Sequence, residues 1–218
     1  MMINIDEIFK YLSWNNNNET QAYGIELASN IDNLSVLIMP IEDKSIWENC
    51  AKVLIDKNDE KLQLYLFKLF EWLKDMNWPG ADLIYNRLIG MSTEIIYPVY
   101  HDSILLAKQT SDHIWEMALK DFFTEHVFIL LEHYISSDCQ AKKIIKYENY
   151  AKQIKIYLVE VFEYLKDEKY HGASYIRNNF LQYCANTLVD SAIKTCIKNA
   201  KLFNDDIWER NLYSILQM

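Results

Sequence analysis

Hydrophobic residues recur along most of the chain at the spacing of one face of an α-helix. The clearest stretch places them at intervals of four, seven, eight and eleven positions, which indicates an amphipathic helix. Its members are Leu62, Leu66, Leu69, Phe70 and Leu73. The 218 residues include only 4 Gly and 3 Pro, which are too few for the turns that β-hairpins require. The pattern therefore predicts an all-α protein.

Local breaks in this pattern set the expected helix boundaries. The chain around the clearest stretch predicts one helix over 59–76 and a second over 78–90. Further on, two helices are expected over 111–121 and 124–136. Pro98 lies inside a helical pattern, where it is expected to kink or split the helix because it lacks a backbone donor.

One segment of the chain occurs twice, with a shift of 92 residues. Residues 69–81 (LFEWLKDMNWPGA) return as residues 161–173 (VFEYLKDEKYHGA), with both tryptophans replaced by tyrosine. The hydrophobic stripe returns as Ile154, Leu158, Val161, Phe162 and Leu165. Each copy predicts a helix, a tight turn and a second helix folded back. We therefore expect stacked antiparallel helical hairpins, a HEAT-like α-solenoid with an internal duplication of about 92 residues.

A shorter element, Ile-Trp-Glu, occurs three times. The copies are residues 46–48, 114–116 and 207–209, and they are preceded by Ser45, Asp112 and Asp205. Serine and aspartate are able to cap helices, so each copy is expected to open one. We expect the three tryptophans to fill the seams between successive hairpins.

No Gly/Ser-rich linker separates the two halves of the chain. The sequence therefore predicts a single helical-repeat domain over 1–218. Within it, the repeat defines possible units at 44–122 and 146–217, with N-terminal helices in 1–40.

Charge narrows the class of partner. The chain has 22 basic and 31 acidic residues, a net charge of −9, and residues 1–91 hold 14 of the acidic and 8 of the basic ones. Such a field repels phosphate backbones and anionic lipid, so neither nucleic acid nor a membrane is the expected partner. A basic protein that contacts the N-terminal half is expected instead. The sequence leaves the oligomeric state open.

One basic cluster runs against this trend. It consists of Lys142, Lys143, Lys146, Lys152 and Lys155. It is interpreted as a solvated helix face rather than as a phosphate-binding patch.

Cysteine usage and the N-terminal sequence favour a cytoplasmic protein. The cysteines lie far apart, at Cys50, Cys139, Cys184 and Cys196, without the spacing of a zinc module or a dense disulfide framework, so reduced thiols are expected. The chain starts with acidic residues, Asp6 and Glu7, where a secretory signal is basic, and no apolar run reaches the length of a membrane span.

The turn of the first copy runs from Asp75 to Ala81 and carries the most specific motif. Asn77 is predicted to cap the following helix, with Trp78 at its first position and Pro79 just inside it. The second copy has Lys169 and His171 where the first has Asn77 and Pro79.

At this motif the sequence resembles a bacterial family, domain-of-unknown-function family 5071. The residues that carry the resemblance are Glu71-Trp72-Leu73, Asp75, Asn77-Trp78-Pro79 and Ile114-Trp115. The resemblance covers roughly residues 45–120. It implies a compact HEAT-like helical fold, and no established activity comes with it.

The candidate binding residues are Trp72, Asp75, Asn77 and Trp78, an acceptor and an amide in an aromatic setting. His126 and His133 each follow a glutamate, but nothing in the sequence completes a metal site, so neither a metal nor a cofactor is predicted. No phosphate loop, nucleophile elbow or metalloprotease motif is present, and no catalytic residue is assigned.

Two functions remain open. The first is a non-enzymatic protein-interaction module, and one version of it is an immunity-type protein that neutralises a basic toxin. The alternative is a small-ligand-binding or hydrolytic protein with a pocket near Asp75, Asn77, Trp72 and Trp78. That alternative requires Asp75 and Asn77 to line an open pocket.

Overall fold

A computed structural model describes residues 4–41, 43–136, 145–167 and 170–216. Over these residues the chain is helical and has no β-strand, which confirms the predicted all-α class. The helices are α1 (Ile5–Leu12), α2 (Asn18–Ala28), α3 (Trp47–Ile55), α4 (Asp59–Gln63), α5 (Leu66–Trp72), α6 (Ala81–Ile89), α7 (Thr93–Gln109), α8 (His113–Ser136), α9 (Ile145–Glu163), α10 (Ala173–Leu181), α11 (Thr187–Phe203) and α12 (Asp206–Leu216). Within the described ranges, none of these helices is both long and apolar enough to cross a bilayer.

The chain divides into two compact units, Met1–Leu119 and Lys120–Met218, and the boundary falls inside α8. In the first unit α1 packs on α2, α2 on α3, α3 on α6, and α5 on α7. In the second unit α11 packs on both α9 and α12, and α10 packs on α12. The predicted N-terminal helices therefore share a unit with the first copy of the repeat.

The predicted hydrophobic stripes form the cores of the two units. All five residues of the first stripe, Leu62, Leu66, Leu69, Phe70 and Leu73, are at most 1% exposed. The matching residues of the second stripe, Ile154, Leu158, Val161, Phe162 and Leu165, are fully buried. Each such side chain contributes about 1.5–3 kcal/mol relative to its exposed state. The helical spacing therefore identified the residues that hold each unit together.

The predicted helix over 59–76 is wrong in one respect, because the structure has two helices there. The chain breaks between α4 and α5, where Tyr65 has φ −117° and ψ 2° and Leu64 is 83% exposed. The hydrophobic spacing does not reveal this break, since Leu62 and Leu66 are buried on either side of it.

The boundary predicted between residues 121 and 124 is also wrong. The helices expected over 111–121 and 124–136 are one helix, α8, because Phe122 and Phe123 are buried and continue its apolar face. Pro98 does not split its helix, since α7 runs from Thr93 to Gln109. Pro98 is exposed there, near the start of the helix.

The same turn joins the last two helices of each unit. Ser111 after α7 and Asn204 after α11 have left-handed backbones, with φ of 56° and 54°. The next amide reaches back to the helix in both cases, from Asp112 to the Ala107 carbonyl at 2.8 Å and from Asp205 to the Ala200 carbonyl at 2.9 Å. This hydrogen bond and the left-handed residue are the features of a Schellman motif.

Two of the three predicted helix caps are confirmed. The Asp112 carboxylate accepts from the Trp115 amide at 3.1 Å, and the Asp205 carboxylate accepts from the Trp208 amide at 2.9 Å. The third prediction, Ser45, is wrong, because the cap of that turn is Asp43, two positions earlier. Asp43 accepts from the Ser45 amide at 2.8 Å and from the Ser45 hydroxyl at 2.5 Å.

The tryptophan that follows each cap, Trp115 or Trp208, makes the same main-chain hydrogen bond in both units. The Trp115 indole N–H donates to the Phe70 carbonyl at 2.9 Å, and the Trp208 indole N–H donates to the Phe162 carbonyl at 2.8 Å. A lysine lies over each ring, Lys74 at 4.3 Å and Lys166 at 4.0 Å from the ring centroid. These residues pair at shifts of 92 or 93 positions. In each unit the indole ties the last helix to the end of the striped helix.

Candidate binding site at the turn of residues 75–81

The turn begins with a local hydrogen-bond network around Asp75. Its Oδ1 accepts from the Asn77 backbone amide at 2.9 Å and from the Asn77 side-chain amide at 3.0 Å. The Asp75 carbonyl accepts from the Trp78 amide at 2.9 Å. Aspartate at the first position of a turn commonly bonds to the backbone two residues later, so Asp75 acts here as a turn former.

The predicted N-cap role of Asn77 is wrong. Helix α6 begins at Ala81, and its N-cap is Gly80, with φ 79° and ψ 0°. The Ala81 amide bonds to the Trp78 carbonyl at 3.0 Å, which closes a second turn with Pro79 and Gly80 at its centre. Gly80 has the backbone of the third position of a type II turn, where proline commonly precedes it. Trp78 and Pro79 therefore form a turn of their own and not the first turn of the helix.

Gly80 also lets this turn lie directly on helix α3. A Cβ atom at Gly80 would lie 2.5 Å from the Ala51 Cβ and 3.3 Å from the Trp47 carbonyl oxygen. The absent side chain therefore brings the turn against the first two turns of α3. As a consequence, the tryptophans of the turn meet the tryptophan of α3.

Three tryptophans meet at this contact. The ring of Trp47 packs edge-on against Trp72, with centroids 6.0 Å apart, and against Trp78, with centroids 5.6 Å apart. Trp72 is fully buried, and its indole N–H donates to the Pro79 carbonyl at 3.1 Å. Trp78 is half-buried and Asn77 is exposed. Of the predicted site residues, Trp72 is thus held inside the unit, and Asn77 and Trp78 reach the surface.

A lysine covers the accessible side of this cluster. The Lys44 Nζ lies 5.3 Å from the ring centroid of Trp47 and 5.5 Å from that of Trp78. Lys44 itself is exposed. Its neighbour Asp43 remains an anion, because hydrogen bonds from the Ser45 hydroxyl and then the Ser45 amide lower the pKa of its carboxyl.

Sequence reasoning missed Lys44 and Trp47 as members of this site. Trp47 belongs to the first Ile-Trp-Glu element, which was assigned a packing role alone. The signal that pairs it with the turn is Gly80, since a glycine after Pro indicates a close backbone approach. The sequence gives no sign of which helix approaches.

The second unit has a related but more closed arrangement. Tyr164 and Tyr170 replace the tryptophans, and the Lys120 Nζ lies 5.7 Å and 5.6 Å from their centroids. Tyr170 is 4% exposed, and its hydroxyl donates to the Asp121 Oδ1 at 2.7 Å. Burial, followed by the charge of Asp121, raises the pKa of Tyr170. Trp78 of the first unit is half-buried, whereas Tyr170, its counterpart in the second, is nearly buried.

The second turn also differs in its backbone. Gly172 has φ −68°, so the turn geometry of Gly80 is not repeated where His171 replaces Pro79. Asp167, which corresponds to Asp75, lines a cleft of about 310 Å³ together with Ala173, Arg177 and Asn211.

The other candidate side chains do not assemble into a site. His126 is 2% exposed and stacks on Phe122, whereas His133 is exposed. Among the described residues, no group of three or more His, Cys, Asp or Glu is arranged to hold a metal ion. Burial raises the pKa of both Cys50 and Cys196 to about 12.

Some sequence predictions fall outside the described residues. They concern Cys139, Lys142, Lys143 and Lys169, together with the side chain of Lys146. In the part of the basic cluster that is described, Lys152 is exposed and Lys155 is half-buried.

Comparison with known families identifies the segment that contains the turn. Residues 42–136 match the family model of DUF5071, a domain of unknown function. The match confirms the predicted resemblance to this family for that segment. The DUF5071 segment is longer than the predicted 45–120 and includes Lys44, Trp47 and the whole turn. No curated protein and no solved structure shows a significant match to the chain.

Proposed function

We propose that this protein is a non-enzymatic interaction module that binds a basic protein partner through residues 1–119. The observation that carries the proposal is the distribution of charge. Residues 1–119 contain eighteen acidic and nine basic residues, whereas residues 120–218 contain thirteen of each. The first unit thus accounts for the whole net charge of −9.

The surface of the first unit has the same imbalance. Among its described residues, twelve acidic and five basic ones are exposed. The acidic ones are Asp6, Glu7, Glu19, Glu26, Asp32, Asp43, Glu48, Asp56, Glu60, Asp82, Glu94 and Asp102. A surface of one sign raises the association rate of an oppositely charged protein, and salt screens the effect over a Debye length of about 10 Å. Binding is therefore expected to be tight at low salt and weak at high salt.

The narrower version of this proposal is an immunity-type protein that neutralises a basic toxin. Three features support this version. The protein is acidic and helical, it contains a DUF5071 segment, and its sequence has no recognisable catalytic motif. We also propose that the two units descend from one duplicated HEAT-like hairpin module. The paired indole hydrogen bonds and the paired Schellman turns support that duplication.

The ligand-binding or hydrolytic alternative gains no support from the geometry of the turn. It needs Asp75 and Asn77 to face a ligand in an open pocket. Both hydrogen bonds of the Asp75 Oδ1 come from Asn77, and Trp72 is buried. The alternative remains a prediction, and the interaction module is the function that the charges favour.

Affinity purification of the tagged full-length protein from the cells that produce it tests the proposal. We expect a basic protein in stoichiometric amount at low salt, released by high salt and able to bind again after separate purification. Recovery of the protein with a retained small molecule and no protein partner would contradict the proposal. Such a result would favour the alternative.

A further inference from the structure

The surface of the DUF5071 segment carries a cation on two tryptophan rings. The Lys44 ammonium lies within 5.5 Å of the centroids of both Trp47 and Trp78, and the two rings meet at 81°. An ammonium or guanidinium within about 6 Å of a tryptophan centroid is attracted by the negative face of the ring. The corner between the two rings is therefore shaped to take one cationic group.

The Lys44 ammonium lies over both rings of this corner. Within the described part of the chain its ammonium makes no hydrogen bond and no ion pair, although its unit is strongly acidic. By contrast, two other lysines of the unit form ion pairs. The Lys52 Nζ lies 2.8 Å from the Glu48 Oε1, and the Lys68 Nζ lies 2.7 Å from the Glu71 Oε2. An exposed lysine without a carboxylate partner leaves its place at little cost. The rings are then free for another cation.

Both tryptophans have contacts that do not involve the Lys44 ammonium. The Trp47 indole N–H donates to the Pro40 carbonyl at 2.7 Å, and Trp47 is 7% exposed. Trp78 is fixed by its backbone, since its amide and its carbonyl each close one of the two consecutive turns. A site that is already formed costs little conformational entropy on binding.

Among the described residues of the second unit, the ring that corresponds to Trp78 is closed off. Its Tyr170 ring is nearly buried and its hydroxyl is bonded to Asp121, so the cation over it, Lys120, is part of a closed cluster. Its unit is also neutral overall. The second unit therefore supplies a comparison, a lysine over aromatic rings in a closed cluster.

We propose that Trp47 and Trp78 bind a lysine or arginine side chain of the basic partner, and that Lys44 fills this site in the free protein. The proposal rests on the proposed function, because it names the point at which the acidic unit contacts its partner. Arginine suits the site well, since its planar guanidinium stacks on aromatic faces. Asp43, beside Lys44 in the chain, adds a fixed negative charge.

The test is a titration of the full-length protein with a synthetic peptide of alternating arginine and glycine. The indole N–H signals are followed by NMR, and a peptide of alternating glutamate and glycine is the probe control. Lys44→Ala empties the site, and Lys61→Ala removes the same charge from another exposed position of the same unit. Lys120→Ala removes the lysine that lies over Tyr164 and Tyr170 in the second unit.

We expect the arginine peptide to shift the Trp78 indole signal and the Trp47 signal. Lys44→Ala should tighten binding about two- to fivefold relative to Lys61→Ala, since it removes an internal competitor for the rings. Trp78→Leu should weaken binding by a similar factor, and Lys120→Ala should behave like Lys61→Ala. Lys44→Ala changes no buried group, so it reports on the site even if Trp78→Leu fails to fold.

The two proposals fail in different ways. If the peptide binds with salt sensitivity but Lys44→Ala and Lys61→Ala have equal affinities, the aromatic site is wrong and the acidic binding surface remains. If the peptide does not bind, or binds with the same affinity at high salt as at low salt, both the proposed function and the proposed aromatic site are wrong.

Discussion

The indole hydrogen bond of Trp115 offers a direct test of how the first unit is held together. The Trp115 ring is fully buried, and its N–H reaches the Phe70 carbonyl at the end of α5. Trp115→Phe keeps an aromatic ring but removes this donor. The change also leaves a small void and a smaller ring under Lys74.

The expected loss follows from these three contacts. The Phe70 carbonyl also accepts from the Leu73 amide, so it is not left unpaired and the lost hydrogen bond costs about 1 kcal/mol. The void, about the size of two or three carbon atoms, costs roughly 1 kcal/mol. The weaker contact with Lys74 contributes about 0.5 kcal/mol. Together these give a free energy of unfolding about 2–3 kcal/mol lower than that of the unsubstituted protein.

Urea unfolding followed by far-UV circular dichroism measures this loss. With a slope of about 1–3 kcal/mol per molar urea, the midpoint should fall by about 1 M. Trp14→Phe is the matched control, because Trp14 is 48% exposed and its ring makes no comparable hydrogen bond to any described residue. We expect that control to change the free energy by less than about 0.5 kcal/mol. Trp208→Phe should reproduce the Trp115→Phe loss in the second unit.

A Trp115→Phe variant as stable as Trp14→Phe would refute this reasoning. It would mean that the indole hydrogen bond does not tie α8 to α5 in the first unit. A loss for Trp115→Phe without one for Trp208→Phe would instead show that the second unit does not use its tryptophan in the same way.

Three further predictions follow from single residues. Gly80→Ala should lower the free energy of unfolding by about 2 kcal/mol, because φ is 79° and the new methyl group meets α3. The control is Gly90→Ala, whose methyl group meets only ordinary contacts and should be neutral or slightly stabilising. Thermal unfolding measures both variants. A methyl group at Gly172 would clash with the Tyr170 hydroxyl, so Gly172→Ala should displace that hydroxyl from Asp121 and destabilise the second unit more than Tyr170→Phe does. Equal losses of unfolding free energy for the two variants in urea would argue against this clash. Cys50 should resist alkylation in the folded protein, since burial raises its thiol pKa from 9.0 to about 12. Between these pH values the folded protein keeps a proton that the unfolded chain has lost, so the free energy of unfolding should fall as the pH rises from about 9 toward 12. Cys50→Ala should make this fall with pH less steep.

Much of the fold was predictable because it depends on short-range spacing. The stripe of Ile154, Leu158 and Val161 repeats with the helical period inside α9, and all three side chains are buried. The caps at Asp112 and Asp205 were also predictable, since an acceptor before a helix needs only its own local backbone.

The binding site was only partly predictable because it depends on contacts between distant segments. Trp78 was identified from its motif, but its partners Lys44 and Trp47 lie more than thirty positions earlier in the chain. The error at Asn77 has a local cause. The sequence Trp-Pro-Gly-Ala suits both a helix start and a type II turn, and only the approach of α3 to Gly80 selects the turn.

The most direct test of the central claim compares two matched charge reversals in binding to the purified basic partner. One variant carries Glu26→Lys and Asp102→Lys in the first unit, and the other carries Glu148→Lys and Asp206→Lys in the second, all at exposed positions. Both variants raise the net charge by the same amount. The account predicts that the first variant binds more slowly and with a shallower salt dependence, while the second keeps nearly the affinity of the unsubstituted protein. Equal losses in the two variants, or a larger loss in the second, would contradict the claim that residues 1–119 form the contact surface.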